Sequence, residues 1–361
     1  MIDDSPSARL NAITLERNIP VSVTIELTRR CPLACLHCYL PETQGRARPA
    51  AELTTARWKM IISQLAEAGT LYLVFTGGEP LLRPDLAEIC AYAKKLKFDV
   101  RVFSTGLGLD EARALTLKKA GVSGFDISFY GPPAVHDGIT GVKGSFTRSL
   151  TVARLLKKVG INVKMKTPLM KKNLARAGWL KAMAKREGFE ISFDPVITAA
   201  NDGDASALNL RLSGRQLTKA VKLYGAAPKE SGAAPKVGPG GEPQPYSQPF
   251  DFLCGAGRNV CAVGPYGDLY PCLQLQLDLG NLTRRRFADI WKNAAWLKKW
   301  RGAGAKDVKA CAACAHIDFC SRCPGISLVE EGDIFAPNKP ACEIARTNSQ
   351  MALKTARWPV S

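Results

Sequence analysis

From residue 21 to about 197, short β-branched apolar runs alternate with longer amphipathic stretches. The runs are VSVTIEL (21–27), LYLVFT (71–76), VRVFS (100–104), GFDISF (124–129), INVKMKT (161–167) and ISFDPV (191–196). Their length and composition predict strands. The stretches near 54–68, 85–97, 109–120, 146–159 and 173–187 predict helices. Gly69, Gly121, Gly160 and Gly188 stand where helix C-caps fall. Alternation at this spacing predicts an α/β fold with a parallel sheet and right-handed crossovers. Six strands are visible, and a closed (β/α)8 barrel needs eight. A partial (β/α)6 barrel or an open sheet is expected.

The pattern stops after residue 224. Residues 225–250 hold six prolines and five glycines and read as a linker. Residues 251–345 hold eight of the twelve cysteines and little strand–helix alternation. They read as a small second domain that gains much of its folding energy from metals. Residues 1–20 read as an N-terminal extension before the barrel (21–224), and 346–361 as a closing tail.

Composition narrows the chemistry. No run of 18 apolar residues exists, so no membrane span is expected. The start, MIDDSPSARL, has no apolar signal core, and a cytoplasmic location is expected. In that compartment twelve cysteines suggest metal or redox chemistry. The only histidines are His37, His136 and His316, so any metal site is mostly thiolate, suited to zinc or iron–sulfur. The net charge of +18 is spread over several clusters, mostly solvated helix faces. No basic stripe interleaved with aromatics occurs, so no nucleic-acid partner is expected.

Three cysteines follow the first strand: Cys31, Cys35 and Cys38, spaced C-x3-C-x2-C in LTRRCPLACLHCYLPE. That places them at the C-terminal edge of a parallel sheet, where ligands bind. A closed zinc site takes four ligands, so three thiolates leave one position open. One alternative is a zinc site with a distant or histidine fourth ligand, such as His37. After the second strand comes TGGEP, 76–80, some 38 residues beyond Cys38. Gly77 and Gly78 allow close approach of a ligand to the backbone. Glu79 offers a carboxylate to an ammonium group. Taken alone, GGEP also fits an ordinary strand-to-helix turn.

Together these residues resemble the signature of the radical S-adenosylmethionine (SAM) enzymes, over residues 21 to about 200. The resemblance implies a TIM-like partial barrel. It implies a 4Fe-4S cluster on Cys31, Cys35 and Cys38, whose fourth iron is chelated by the amino and carboxylate groups of SAM. It implies cofactor contacts from Gly77, Gly78 and Glu79, from Ser104 and Thr105 after the third strand, from Ser128 after the fourth, and from Lys166 ending the fifth. Residues 195–197 would wall off the adenine.

The later cysteines resemble the SPASM extension. Twelve residues separate Cys254 from Gly267, and four separate Gly267 from Cys272. Cys311, Cys314, Cys320 and Cys323 are spaced x2, x5 and x2, and Cys342 comes last. The x2 between Cys320 and Cys323 is one short of the usual x3. Eight thiolates suffice for two four-cysteine clusters, or for two zinc sites. By resemblance Cys254, Cys261, Cys272 and Cys323 hold the nearer 4Fe-4S cluster. Cys311, Cys314, Cys320 and Cys342 hold the outer one, making three clusters in all. That leaves Cys90, on an apolar helical stretch, as a core residue.

The resemblance implies an enzyme that reductively cleaves SAM to a 5′-deoxyadenosyl radical, which abstracts a hydrogen atom from the substrate. The general acid or base is not legible. The leading substrate class is a ribosomally made peptide or protein; the basic charge suits an acidic leader or a polycarboxylate alike. A tetrapyrrole or other small carboxylate is the first alternative. A flavodoxin or ferredoxin is the expected one-electron donor. A non-catalytic, zinc-stapled binding protein is the different-class alternative.

Overall fold

The computed structural model describes residues 5–40, 48–224, 254–304 and 307–356. The expected linker at 225–250 lies outside the described residues. A helix, α1 (Pro6–Glu16), occupies the region read as an extension; the Ser5 hydroxyl caps it and Pro6 opens it. Then follow β1 (Ser22–Glu26), α2 (Thr55–Glu67), β2 (Tyr72–Thr76), α3 (Leu86–Lys95), β3 (Asp99–Ser104) and α4 (Glu111–Lys119). The run continues with β4 (Val122–Ser128), α5 (Pro133–Thr140), α6 (Ser145–Lys158), β5 (Asn162–Pro168), α7 (Ala177–Glu187), β6 (Glu190–Asp194) and α8 (Gly214–Tyr224). The six expected strands are present, within two residues at each end. The four glycines expected at helix ends all have positive φ.

The strands lie in the order β6-β5-β4-β3-β2-β1, all parallel, each beside its sequence neighbour. The sheet then continues beyond β1. Strand β7 (Val260–Val263) pairs parallel to β1, and β8 (Asp268–Tyr270) and β9 (Gly280–Asn281) follow antiparallel. So the start of the cysteine-rich region adds strands to the barrel sheet. Sequence reading missed β7 because VCAV is short and carries a cysteine. No pairing of β6 with β9 is seen among the described residues, so the barrel is partial.

Side chains alternate across the strands, as their pleat requires. Val23, Ile25, Leu73, Phe75, Val100, Val102, Phe125, Ile127, Val163 and Met165 point outward under the helices and form one core. Cys90 of α3 is fully buried in that core, as expected. Arg101, Asp126, Lys164 and Lys166 occupy the alternate positions, so the other face is polar. Four more α-helices follow among the described residues: α9 (Phe287–Asn293), α10 (Ala295–Arg301), α11 (Pro324–Glu331) and α12 (Lys339–Ala356). Among the described residues no helix is long and apolar enough to cross a membrane.

Candidate functional site: a thiol loop at the sheet edge

The loop after β1 is fastened to the turn after β2. Leu27 N–H donates to Thr76 O at 2.9 Å, Gly78 N–H to Thr28 O at 2.8 Å, and Glu79 N–H to Arg30 O at 2.7 Å. A Cβ on Gly77, where φ is +138°, would lie 2.2 Å from Thr28 O, and one on Gly78 would lie 2.1 Å from Arg30 O. The glycine pair thus has a second role beside the expected room for a ligand. What a side chain would strike is the backbone leading into Cys31. Glu52 braces the same loop, accepting from Thr28 Oγ1 at 2.5 Å and Arg30 Nη2 at 3.1 Å. On the far side Ala34 N–H and Leu36 N–H donate to Thr140 O and Ile139 O of α5.

Cys31, Cys35 and Cys38 are partly exposed on this loop. Burial, opposed at Cys31 by a backbone hydrogen bond, pushes the thiols of Cys31 and Cys35 up to about 12, and neighbouring thiolate charge adds to this. Two thiols raised this far need a nearby cation to become thiolates, which a bound metal provides. The Tyr130 side chain lies beside Ser128 and Cys35, and its hydroxyl acts to lower the Cys35 thiol against the effect of burial. The His37 ring packs edge-on to Tyr130, with centroids 4.9 Å apart, and burial lowers it to about 4.

Glu79, fully buried, meets the end of the next strand, β3. Its Oε1 accepts from Leu81 N–H at 2.9 Å and Ser104 Oγ at 2.8 Å. Its Oε2 accepts from Thr105 N–H at 2.7 Å and from the Thr105 hydroxyl. Burial raises its carboxyl above the usual range, while these hydrogen bonds oppose the rise. A carboxylate has about four lone-pair sites, and all are filled from within the chain. A direct bond to an ammonium group would share an oxygen with these donors. Glu79, Ser104 and Thr105 act as one clamp between the β2 and β3 turns. Lys166 is also engaged elsewhere: its Nζ lies 3.6 Å from Asp126 Oδ2 and 5.4 Å from the Phe103 ring centre. Asp126 also binds Arg101 at 2.6 Å.

The later cysteines fall into two neighbourhoods. Cys272 senses the charge of Cys254 and Cys323, and Cys261 on β7 senses Cys272. Cys311 senses Cys342 and Cys314. The Arg322 guanidinium acts on Cys311, Cys320 and Cys323. Among the described residues no three ligating side chains close on one point as a single metal ion requires. A four-iron cage is larger, and its thiolates stand farther apart.

The profile of the radical SAM superfamily matches residues 25–175, and that of the SPASM iron-sulfur cluster-binding domain matches 254–324. A PqqA peptide cyclase of Xanthomonas axonopodis pv. citri is 30% identical over 347 residues, 92% of this chain and 90% of its own. The chain belongs to the radical SAM superfamily. It carries a SPASM domain and is an enzyme. An AdoMet-dependent heme synthase of Oleidesulfovibrio alaskensis is 28% identical over 359 residues, 91% of this chain and 89% of its own. Among solved structures, AdoMet-bound anSMEcpe superposes with a TM-score of 0.69 at 17% identity, covering 94% of this chain and 99% of that one. Streptococcus suis SuiB bound to the precursor peptide SuiA gives 0.64 at 17%, covering 93% and 80%. Both show the same fold.

The residues fit the iron–sulfur chemistry of a radical SAM SPASM enzyme. Three soft donors share one partly exposed loop at the sheet's C-terminal edge. Sequence reading missed three supports of that loop. The buried Glu26 accepts from Tyr39 Oη at 3.1 Å and pairs with Arg29 at 3.1 Å. Tyr130 touches Cys35, and α5 backs the loop. A glutamate inside the apolar run VSVTIEL is the one signal that pointed there.

Proposed function

We propose that this radical SAM enzyme modifies a ribosomally made peptide or protein. The observation that carries the reading is the relationship to PqqA peptide cyclases over nearly the whole chain. The fold shared with SuiB in its complex with the precursor peptide SuiA is consistent with it. A second reading, a tetrapyrrole or other small carboxylate substrate, rests on the AdoMet-dependent heme synthase relative.

In this proposal Cys31, Cys35 and Cys38 hold the first 4Fe-4S cluster. Cys254, Cys261, Cys272 and Cys323 hold a second, and Cys311, Cys314, Cys320 and Cys342 a third. When bound, cluster and SAM supply a one-electron cleavage that ends in hydrogen-atom abstraction. The chain positions and shields them. Gly77 and Gly78 set the height of the thiol loop, and the Glu79–Ser104–Thr105 clamp shapes the wall beside it. Tyr130 and Ser128 line the next strand end. Lys166 and Arg101 present positive charge on the polar face of the sheet. A flavodoxin or ferredoxin delivers the electron.

The test is anaerobic incubation with SAM, reductant and short peptides encoded beside the gene, read by mass spectrometry. A peptide mass change in step with 5′-deoxyadenosine supports the reading. Unchanged peptides with consumption of a porphyrin carboxylate overturn it.

A further inference from the structure

A cavity of about 260 Å³ lies where three segments meet. Asn201 and Asp202 come from the loop after β6, Gln274 and Gln276 from the segment after Cys272, and Leu328 and Val329 from α11, which begins just after Cys323. Asn201 N–H donates to Tyr39 O at 2.9 Å, tying the first wall to the residue after Cys38. A Cβ on Gly325 would lie 2.2 Å from Gln274 O, so the start of α11 presses on the second wall. The cavity thus borders segments adjoining the Cys31–Cys38 loop and the Cys272 and Cys323 neighbourhood.

Its chemistry is unusual. The side-chain nitrogens of Asn201, Gln274 and Gln276 are buried and have no hydrogen-bond partner. Buried amides normally find one, because leaving one unmade is costly. Three around one cavity mark a place built for an outside partner. We propose that this cavity binds the backbone of the peptide substrate through these three amides. The assignment rests on the peptide-modification reading.

The chemistry of the ligand follows. A side-chain amide carries both donor and acceptor, and so does a peptide unit, so the two pair edge to edge. A carboxylate only accepts, so it would leave the amide oxygens without a donor. Size points the same way. Pockets for drug-sized ligands run roughly 300–1,000 Å³. This one is smaller and suits a short piece of extended chain, while a tetrapyrrole exceeds it. Leu328 and Val329 give one apolar side for a side chain.

The experiment uses the anaerobically reconstituted full-length protein with SAM. Isothermal titration compares acetyl-(Gly-Ala)3-amide, a neutral capped peptide, with a porphyrin tetracarboxylate. Wild type binds the peptide. Gln276→Leu and Gln274→Glu each weaken it roughly tenfold, one hydrogen bond's worth at about 1.4 kcal/mol per decade. Iron content reports whether each variant is intact, and Gln276→Glu serves if one of the others fails to fold. Peptide binding unchanged in intact variants overturns the pocket assignment and leaves peptide modification standing. No peptide binding, with the porphyrin bound, overturns both.

Discussion

Thr105 donates twice to one oxygen of Glu79, from its backbone N–H at 2.7 Å and from its hydroxyl. That pair makes the GGEP glutamate a clamp beside its proposed role as a ligand contact, and the two roles separate by mutation. Glu79→Gln would turn an NH2 group toward donors, losing charge-assisted bonds worth on the order of 1.5–3 kcal/mol. SAM affinity should fall roughly ten- to a hundredfold with iron content unchanged. Thr105→Val, which removes only the hydroxyl bond, should weaken SAM in the same direction. If titration shows wild-type affinity for Thr105→Val and a large loss for Glu79→Gln, Glu79 meets the cofactor directly.

Gly78 predicts a different phenotype. A Cβ there strikes Arg30 O, one residue before Cys31. Gly78→Val should displace the thiol loop itself. About a third of the iron is expected to be lost, because one of three proposed clusters loses its seat. An iron assay that finds a full complement in Gly78→Val would return the glycine to the role of ligand spacer.

These contrasts mark what was legible. The parallel sheet, six strands and the thiol loop could be read because β-branched runs and C-x3-C-x2-C are local signals. The clamp could not, since it joins Glu79 to Ser104 and Thr105, 25 and 26 residues on. Nor could the pairing of Lys166 with Asp126, which depends on the register of β4 and β5. The helix α5 was missed because PPAVHDGITG opens on two prolines and ends on glycine, which reads as a turn. Strand β7 was hidden for a related reason. Its partner, β1, lies more than 200 residues earlier.

His136 gives a pH prediction. It is buried among Phe129, Tyr130 and Phe146, and burial lowers it to about 4. Its folded value lies below the unfolded one of roughly 6.5. As pH falls below that, the unfolded chain takes up a proton that the folded chain refuses. Stability should therefore fall by up to about 1.4 kcal/mol per pH unit toward pH 4. Urea unfolding between pH 7 and 5 should show a shallower slope in His136→Phe than in wild type. Equal slopes would place the linkage elsewhere.

Arg322 stands between Cys320 and Cys323 in sequence and acts on cysteines of both proposed auxiliary clusters. A cation nearby favours the more negative, reduced state of a cluster. Arg322→Gln should lower both auxiliary potentials by on the order of tens of millivolts. Redox titration followed by electron paramagnetic resonance reads this. Unmoved potentials would mean that Arg322 serves only to hold the Ile334 and Ala336 carbonyls, the latter accepting from its Nε at 3.0 Å.

The central claim is that Cys31, Cys35 and Cys38 seat the cluster that drives SAM cleavage. The measurement is 5′-deoxyadenosine formed from SAM by anaerobically reconstituted, reduced protein, with iron counted in the same sample. Wild type should hold about twelve irons, three four-iron clusters, and form the product. The variant with all three cysteines replaced by Ala should keep about eight irons and form none. A triple variant that still makes 5′-deoxyadenosine, or an iron-replete wild type that makes none, would contradict the account.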